Sequence, residues 1–268
     1  MITILDELVL GARSEAARRR KQISARELES RFRPDRRSLV EALRADGLSV
    51  IAEAKKASPS QGVIREQFEA GPIAEMYEEA GAAGVSVLTE PLQFQGALEY
   101  LTEARSCCSL PLLRKDFIVE EYQLLEARAY GADAVLLIAT VLERAHLTDL
   151  LQAARDLELE CLVELYDANE LDRIDFDLVE ILGANNRDLR TFEVDRTHAP
   201  RVLAHAPDHV VTVAESGLRT AEDLADVHAA GIDAVLIGEA FMRAEHPGQA
   251  LRDLLEQTHE LTDQRESE

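Results

Sequence analysis

One short pattern occurs three times in the chain and limits its fold more than any other feature. A helical segment ends at a glycine, a small or acidic residue follows, and an uninterrupted apolar run begins, at 79–88, 129–138 and 229–238. A glycine that closes a helix commonly takes the left-handed conformation. Strands that are apolar throughout are typical of a parallel sheet covered by helices on both faces. The pattern therefore predicts helix-to-strand units in a parallel α/β fold.

Eight such runs follow one another along the chain, with helical stretches between them. The predicted strands are 49–53, 85–89, 112–115, 134–138, 161–164, 179–182, 210–214 and 234–237. The predicted helices include 73–80, 119–130, 143–157 and a stretch from a capping box at Thr220 to about Ala230. Eight repeats predict a closed (β/α)8 TIM barrel. The alternative, an open doubly wound sheet, would usually carry a glycine-rich phosphate loop after its first strand, and the sequence has none there.

The chain length of 268 residues and its 46% hydrophobic content suit a single domain with one large core. Residues 1–47 precede the first strand and are expected to form an N-terminal helical extension, with a capping box that begins at Ser24. The barrel itself is expected at 48–261. Residues 262–268 are polar and predict a frayed tail.

The net charge of −22 argues against nucleic acid or an anionic membrane as a partner. No apolar run is long enough to span a membrane, and the first ten residues lack the features of a signal peptide, so a cytoplasmic protein is expected, as a monomer or weak homo-oligomer. Acids spread along the whole chain, with only four lysines, suggest a halophilic protein adapted to high salt. The alternative is an acidic surface for a basic partner.

Cysteine and histidine usage does not indicate a metal centre. Cys107, Cys108 and Cys161 are too few and too unevenly spaced for a disulfide framework or a zinc site, and the seven histidines are scattered along the chain. We therefore expect neither a metal nor a cofactor.

Charged and polar residues gather at the predicted strand ends, where the active site of such a barrel lies. The charged ones are Glu53, Lys55, Lys115, Glu164, Arg187 and Glu215, and the neutral polar ones are Asn185 and Ser216. A ring of charges above an apolar floor is costly to desolvate, which indicates a functional role. Two of the four lysines, Lys55 and Lys115, belong to this set and are expected at the reactive centre.

The last two strand ends resemble a phosphate site. Gly217 and Gly238 each precede a helical stretch, and backbone N–H groups beside a glycine can approach an anion closely. Phosphate binding by the loops after strands seven and eight recurs in these barrels. Glu239 is the unexpected residue here, since it places an acid beside the phosphate unless its side chain turns outward.

Five segments resemble motifs of the indole-3-glycerol phosphate synthase family, in the same order along nearly the whole chain: 50–62, 113–118, 162–164, 183–189 and 214–217. The resemblance implies a carboxy-lyase of tryptophan biosynthesis that needs no cofactor. Its phosphorylated substrate, 1-(2-carboxyphenylamino)-1-deoxyribulose 5-phosphate, undergoes ring closure and loses carbon dioxide and water.

The resemblance also implies a role for each matching residue. Lys115 would be the acid that protonates the ketone oxygen, with a pKa lowered toward neutrality by burial and by the neighbouring positive charge of Lys55. Lys55 would hold the carboxylate or the phosphate of the substrate. Glu164 would be the general base, and Glu53 would assist proton transfer.

The other matching residues would bind the substrate. Those expected to orient hydroxyls and the carboxylate are Asn185, Arg187, Glu215 and Ser216; those expected to contact the aromatic ring are Phe117, Leu136 and Leu189; those expected at the phosphate are Lys55, Gly217, Gly238 and Glu239. Ser58 lies in a loop, 58–62, that is expected to close over the substrate.

Two other functions remain open at this point. Another phosphate-binding barrel, phosphoribosylanthranilate isomerase, works with a Cys and Asp pair at its strand ends, where this chain has Glu and Lys. A catalytically silent relative that serves as a binding subunit should have lost Lys55, Lys115 or Glu164, and all three are present.

Overall fold

Eight parallel strands close into a barrel in the computed structural model, which describes residues 3–188 and 193–267. The strands are β1 (Ser49–Ala54), β2 (Gly84–Leu88), β3 (Leu112–Lys115), β4 (Ala134–Ile138), β5 (Glu160–Leu165), β6 (Ile181–Asn185), β7 (Val211–Glu215) and β8 (Ala234–Ile237). Each strand pairs with the next along the chain, and β1 closes the ring against β8. The predicted (β/α)8 barrel is confirmed.

Eleven α-helices are described, and most of them cover the outside of the barrel, with two short 3-10 helices at Ala139–Val141 and Ala168–Arg173. The α-helices are α1 (Ile4–Arg20), α2 (Ala25–Glu29), α3 (Leu39–Leu43), α4 (Ala70–Glu79), α5 (Glu99–Cys107), α6 (Glu121–Tyr130), α7 (Arg144–Asp156), α8 (His198–Leu203), α9 (Ala221–Ala229), α10 (Glu239–Arg243) and α11 (Pro247–Ser267). The glycines of the recurring pattern, Gly81, Gly131 and Gly231, have φ values of 94°, 98° and 79°, which confirms their left-handed conformation. The capping box at Thr220 is also confirmed.

Every predicted strand overlaps an observed one, and the largest difference is at the sixth. The prediction of 179–182 gives way to Ile181–Asn185. Gly183 and Ala184 are weak strand formers, yet both are paired, with Glu164 and Leu165 of β5. Pairing with two neighbouring strands decides the end of this strand, and a local reading of the sequence misses it.

The N-terminal helices close the barrel at both ends. Leu39 and Val40 of α3 donate backbone hydrogen bonds to Glu160 at the start of β5, with distances of 2.6 and 2.9 Å, so α3 covers the N-terminal ends of the strands. Leu5 and Leu8 of α1 are buried in the same interior cluster as the barrel side chains. The expected helical extension is therefore part of the barrel core.

The expected frayed tail at 262–268 is wrong for most of its length, because α11 continues to Ser267. The Thr262 hydroxyl donates a hydrogen bond of 2.9 Å to the carbonyl of Thr258, one helical turn earlier. The Arg265 guanidinium lies 2.9 Å from the carboxylate of Asp226 on α9. Contact with the neighbouring helix stabilises a segment whose composition alone suggests disorder. Among the described residues, no helix is both long enough and apolar enough to cross a membrane.

Candidate active site

One cavity opens at the C-terminal ends of the strands, and it brings the predicted site residues together. Its lining includes Glu53, Lys55, Ser58, Lys115, Phe117, Leu136, Glu164, Asn185, Arg187, Glu215, Ser216, Gly217, Gly238 and Glu239. Leu189, expected to contact the aromatic ring, lies outside the described residues. The register of the parallel strands explains the convergence, since all carboxyl ends lie on the same rim.

Lys115 lies at the centre of this cavity, between two buried carboxylates. Its Nζ donates a hydrogen bond of 3.1 Å to Glu164 Oε2 and a second, shorter one to Glu215 Oε2. The amide Nδ2 of Asn185 donates to the other oxygen of Glu164 at 3.2 Å. A single ammonium group thus connects β3, β5 and β7, and each carboxylate is held in one orientation.

The pKa of Lys115 differs from the expectation. Burial lowers the pKa of this ammonium, but the carboxylates of Glu215, Glu164 and Glu53 raise it more, so the pKa lies above its usual value. The expected shift toward neutrality is therefore wrong. The expectation took the neighbouring charge of Lys55 to be decisive. In the structure, carboxylates from other strand ends lie around Lys115 instead.

Among the carboxyl groups of the described residues, Glu215 has the pKa that lies furthest from its ordinary value. Burial raises the pKa of Glu215 to about 8, while Lys115 opposes the rise and Glu164 adds to it. The oxygen Oε1 of Glu215 is buried and has no hydrogen-bond partner among the described residues. The carboxyl group fits because Gly183 leaves the necessary space; a methyl group there would overlap it.

Lys55 and Glu53 form a second ion pair on the rim, with 2.5 Å between Nζ and Oε1. Glu53 is buried, and Lys55 is partly exposed to the cavity. A methyl group at Gly238 would come within 2.8 Å of the Glu53 Cβ, so this position requires glycine. Both residues line the cavity at the C-terminal ends of the strands.

The end of the cavity beside β7 and β8 is rich in arginine. Ser216 and Gly217 have φ values of 68° and 80°, so two successive residues take the left-handed conformation that favours glycine. The carboxylate of Glu239 accepts hydrogen bonds from Arg219 at 3.4 Å and from Arg243 at 3.2 Å. Two arginines therefore hold the Glu239 side chain at this end of the cavity, Arg219 from within the cavity lining and Arg243 from outside it.

Sequence reasoning missed Arg219 and Arg243. Arg187 NH2 also lies 3.9 Å from Glu239 Oε2, so three guanidinium groups surround one carboxylate. A usable signal exists for Arg243, which lies four residues after Glu239 on a predicted helix. Arg219 has a weaker signal, as a basic residue two positions after Gly217.

The opposite end of the cavity is apolar. Phe94 and Phe117 lie with ring centroids 6.4 Å apart, next to Leu136. Three residues of α1 that the sequence did not single out complete the wall: Ile4, Leu5 and Leu8. A flat aromatic group fits this half, while anions fit the other half.

A short hairpin covers one side of the mouth. Residues 57–58 pair antiparallel with 62–63, and Ser58, Pro59 and Ser60 line the cavity. Gln61 at its tip accepts a hydrogen bond of 2.5 Å from Arg243. This hairpin occupies the position of the loop expected to close over the substrate. Within 3–188 and 193–267, no cluster of His, Cys, Asp and Glu side chains could hold a metal ion.

Comparison with known proteins gives a consistent result. The family model described as indole-3-glycerol phosphate synthase matches residues 5–254. The indole-3-glycerol phosphate synthase of Salinibacter ruber is 52% identical over 257 residues, covering 94% of this chain and 95% of the relative. That of Rhodopirellula baltica is 46% identical over 245 residues, covering 90% of this chain and 95% of the relative.

Solved structures support the fold alone. The alpha subunit of tryptophan synthase from Legionella pneumophila superposes with a TM-score of 0.61 at 16% identity, covering 84% of this chain and 97% of the other. KGPDC from Streptococcus mutans superposes with a TM-score of 0.60 at 14% identity, covering 80% and 99%.

Proposed function

The chain belongs to the indole-3-glycerol phosphate synthase family, and we propose that the cluster around Lys115 carries the family's reaction. That reaction closes the pyrrole ring of 1-(2-carboxyphenylamino)-1-deoxyribulose 5-phosphate and releases carbon dioxide and water, giving indole-3-glycerol phosphate for tryptophan biosynthesis. The observation that carries the assignment of roles is the position of the Lys115 Nζ between Glu164 and Glu215.

Lys115 is the general acid for ring closure. As the aromatic carbon attacks the ketone carbon, charge develops on the ketone oxygen, and Lys115 supplies a proton to it. A raised pKa keeps Lys115 protonated before the reaction. Because the developing alkoxide is a stronger base than a lysine amine, the transfer is still favourable.

Decarboxylation follows from the product of ring closure. The ring nitrogen is then part of an iminium group, which accepts the electron pair when the bond to the carboxylate breaks. The substrate itself is the electron sink. The apolar wall that includes Phe94, Phe117 and Leu136 accommodates the aromatic ring at this stage.

Dehydration needs a base and an acid on the same intermediate. Solvent reprotonates Lys115 after ring closure. Glu164, oriented by Asn185, then removes the proton from the ring, and the hydroxyl formed in the first step leaves as water with this second proton from Lys115. Glu53 holds Lys55 and contributes charge near Lys115, which supports its assisting role.

The polar half of the cavity binds the rest of the substrate. Arg187, Lys55 and the backbone N–H groups beside Gly217 and Gly238 bind the phosphate, while Ser58, Asn185, Glu215 and Ser216 orient the hydroxyls and the carboxylate. We also propose a cytoplasmic enzyme that is a monomer or weak homo-oligomer. Its net charge of −22 disfavours binding to nucleic acid.

The direct test supplies the substrate to the purified protein and follows the fluorescence of the indole product. Wild-type protein should convert the substrate, and Glu164→Gln should lose most of its turnover while still binding substrate. Absence of product from wild-type protein with an intact far-ultraviolet dichroism spectrum would contradict the assignment. Full turnover by Glu164→Gln would contradict only the role of Glu164 as the general base and would leave the rest of the assignment unchanged.

A further inference from the structure

Glu239 occupies an unusual position for an acid, because it lies at the end of the cavity assigned to phosphate. The residue lines the cavity with Arg187, Arg219 and Gly217, and its side chain is 17% exposed. Arg219 NH2 lies 3.4 Å and Arg187 NH2 3.9 Å from its two different oxygens. The acid thus has the contacts that a bound phosphate would need.

The three arginines reach Glu239 from separate parts of the fold. Arg187 follows β6, Arg219 follows β7, and Arg243 lies one turn further along α10. Arg243 also donates to Gln61 of the hairpin, so it has a second partner outside the cavity. Arg219 is 60% exposed, and its contact with Glu239 is long, so exchanging this partner for a stronger one requires little rearrangement.

A phosphate dianion is that stronger partner. It carries about twice the charge of a carboxylate near neutral pH and offers three oxygens to guanidinium groups. Phosphate and Glu239 compete for the same donors, and their like charges repel at this separation. Both effects mean that Glu239 opposes anion binding while it keeps the arginines in place.

We propose that Glu239 is a specificity-determining residue whose carboxylate competes with the substrate phosphate for Arg187 and Arg219. It holds Arg187 and Arg219 until a ligand replaces it, and it makes binding by phosphate alone weak. Only a ligand that also fills the apolar half, beside Phe117, gains enough to displace it. This inference rests on the proposed function, since it takes the arginine-rich end of the cavity as the phosphate end.

The test compares Glu239→Gln with Glu245→Gln, which makes the same change of charge at an exposed residue outside the cavity. Inorganic phosphate is titrated into each protein by calorimetry at one fixed ionic strength. We expect Glu239→Gln to bind phosphate at least threefold more tightly than wild type, with a lower KM for substrate, and Glu245→Gln to differ by less than 1.5-fold. Equal or weaker phosphate binding by Glu239→Gln would overturn the proposal.

A second variant keeps the test decisive if Glu239→Gln folds poorly. Arg219→Gln changes an exposed side chain and leaves Glu239 in place. It should weaken phosphate binding, because Arg219 is proposed to leave Glu239 and bind the phosphate. If Arg219→Gln binds phosphate as tightly as wild type, Arg219 does not exchange Glu239 for phosphate, and the proposal is overturned. If wild type and every variant fail to bind phosphate, the phosphate end of the proposed function is wrong as well; if phosphate binds and only the Glu239 effect is missing, that assignment stands and this inference fails.

Discussion

Lys115 is the residue on which the proposed mechanism depends most directly. Lys115→Met keeps the length of the side chain and removes the proton that ring closure needs. We expect kcat to fall by at least about 100-fold, the usual contribution of a general acid, with substrate affinity largely kept. Single-turnover fluorescence and equilibrium binding of substrate measure the two quantities separately.

The matched control is Lys21→Met, at an exposed lysine after α1. It removes one positive charge far from the cavity and should leave kcat unchanged. Turnover above a few per cent in Lys115→Met would place the acid on another residue.

Glu215 gives a prediction about pH. Because its pKa is raised from 4.5 to about 8 in the folded protein, folding takes up a proton between these values, and the protonated form stabilises the fold. That contribution is fully present below about pH 4.5 and is lost as the pH rises toward 8. Wild type should therefore lose stability across this range relative to Glu215→Gln, an isosteric group that does not titrate.

Urea unfolding of both proteins at pH 5, 6.5 and 8 measures the difference. Glu245→Gln serves as the control, since an exposed glutamate should give a difference that does not vary with pH. A difference between wild type and Glu215→Gln that stays constant, or that favours wild type at pH 8, would show that the Glu215 pKa is not raised.

What the sequence can predict for a single side chain depends on whether its contacts follow from strand order or from the detailed packing around it. The shared location of Glu164 and Lys115 could be predicted from sequence because strand ends meet on one rim, which places the two residues together whatever the detailed packing. The direction of the Lys115 pKa could not, because it depends on which carboxylates lie within a few ångströms. Arg219 was missed for the same reason: its contact with Glu239 joins the loop after β7 to the start of α10, which sequence spacing does not relate.

Helix α1 is the element whose placement affects the site most. It is held by a buried chain of charges that leads to the residues flanking Lys115. Arg19 donates to Glu126 at 2.5 Å, Glu126 accepts from Arg114 at 3.4 Å, and Arg114 donates to Asp116 at 2.8 Å. Arg114 is fully buried and points away from the cavity, on the opposite face of β3 from Lys115. The network therefore connects the wall that α1 provides with the strand that carries the acid.

Arg19→Gln tests this connection. The substitution leaves Glu126 buried without its closest partner, so we expect the free energy of unfolding to fall by roughly 2 kcal/mol, less than for a fully buried pair because Arg19 is 15% exposed. A loosened α1 withdraws Leu5 and Leu8 from the apolar wall, so KM should rise more than kcat falls. Urea unfolding and steady-state kinetics measure both effects.

Arg18→Gln is the matched control on the same helix. Arg18 is exposed, and its partners are the equally local side chains of Glu15 one turn earlier and Gln22 one turn later. Its loss should therefore change the free energy of unfolding by less than about 0.5 kcal/mol. Equal effects of the two substitutions would mean that the buried network does not position α1.

A helix or strand could be predicted where its start and end are both determined by the sequence of the segment itself. The glycine-to-strand pattern located β2, β4 and β8, since the helix ending and the apolar run both belong to a short segment. The position of α1 over the mouth was not predictable, because it depends on contacts between Arg19 and a helix more than a hundred residues later. The end of α11 was missed for a similar reason, through Arg265 and α9.

The protein as a whole has a large excess of acidic residues, 51 Asp and Glu against 29 Lys and Arg. Such a charge destabilises the compact state by self-repulsion. The Debye length falls from about 10 Å at 0.1 M salt to about 3 Å at 1 M, so salt removes most repulsion between surface groups. Buried pairs such as Arg114 with Asp116 are screened far less.

We therefore predict that the free energy of unfolding rises between 0.1 and 1 M sodium chloride, as expected for a protein adapted to high salt. The effect should shrink near pH 4.7, the pI of the sequence, where the net charge disappears and only the general influence of salt on apolar surface remains. Urea unfolding at pH 7.5 and pH 4.7 over the same salt series separates the two contributions. Stability that is unchanged or lower in 1 M salt at pH 7.5 would contradict salt adaptation, and would favour a basic partner as the reason for the acidic surface.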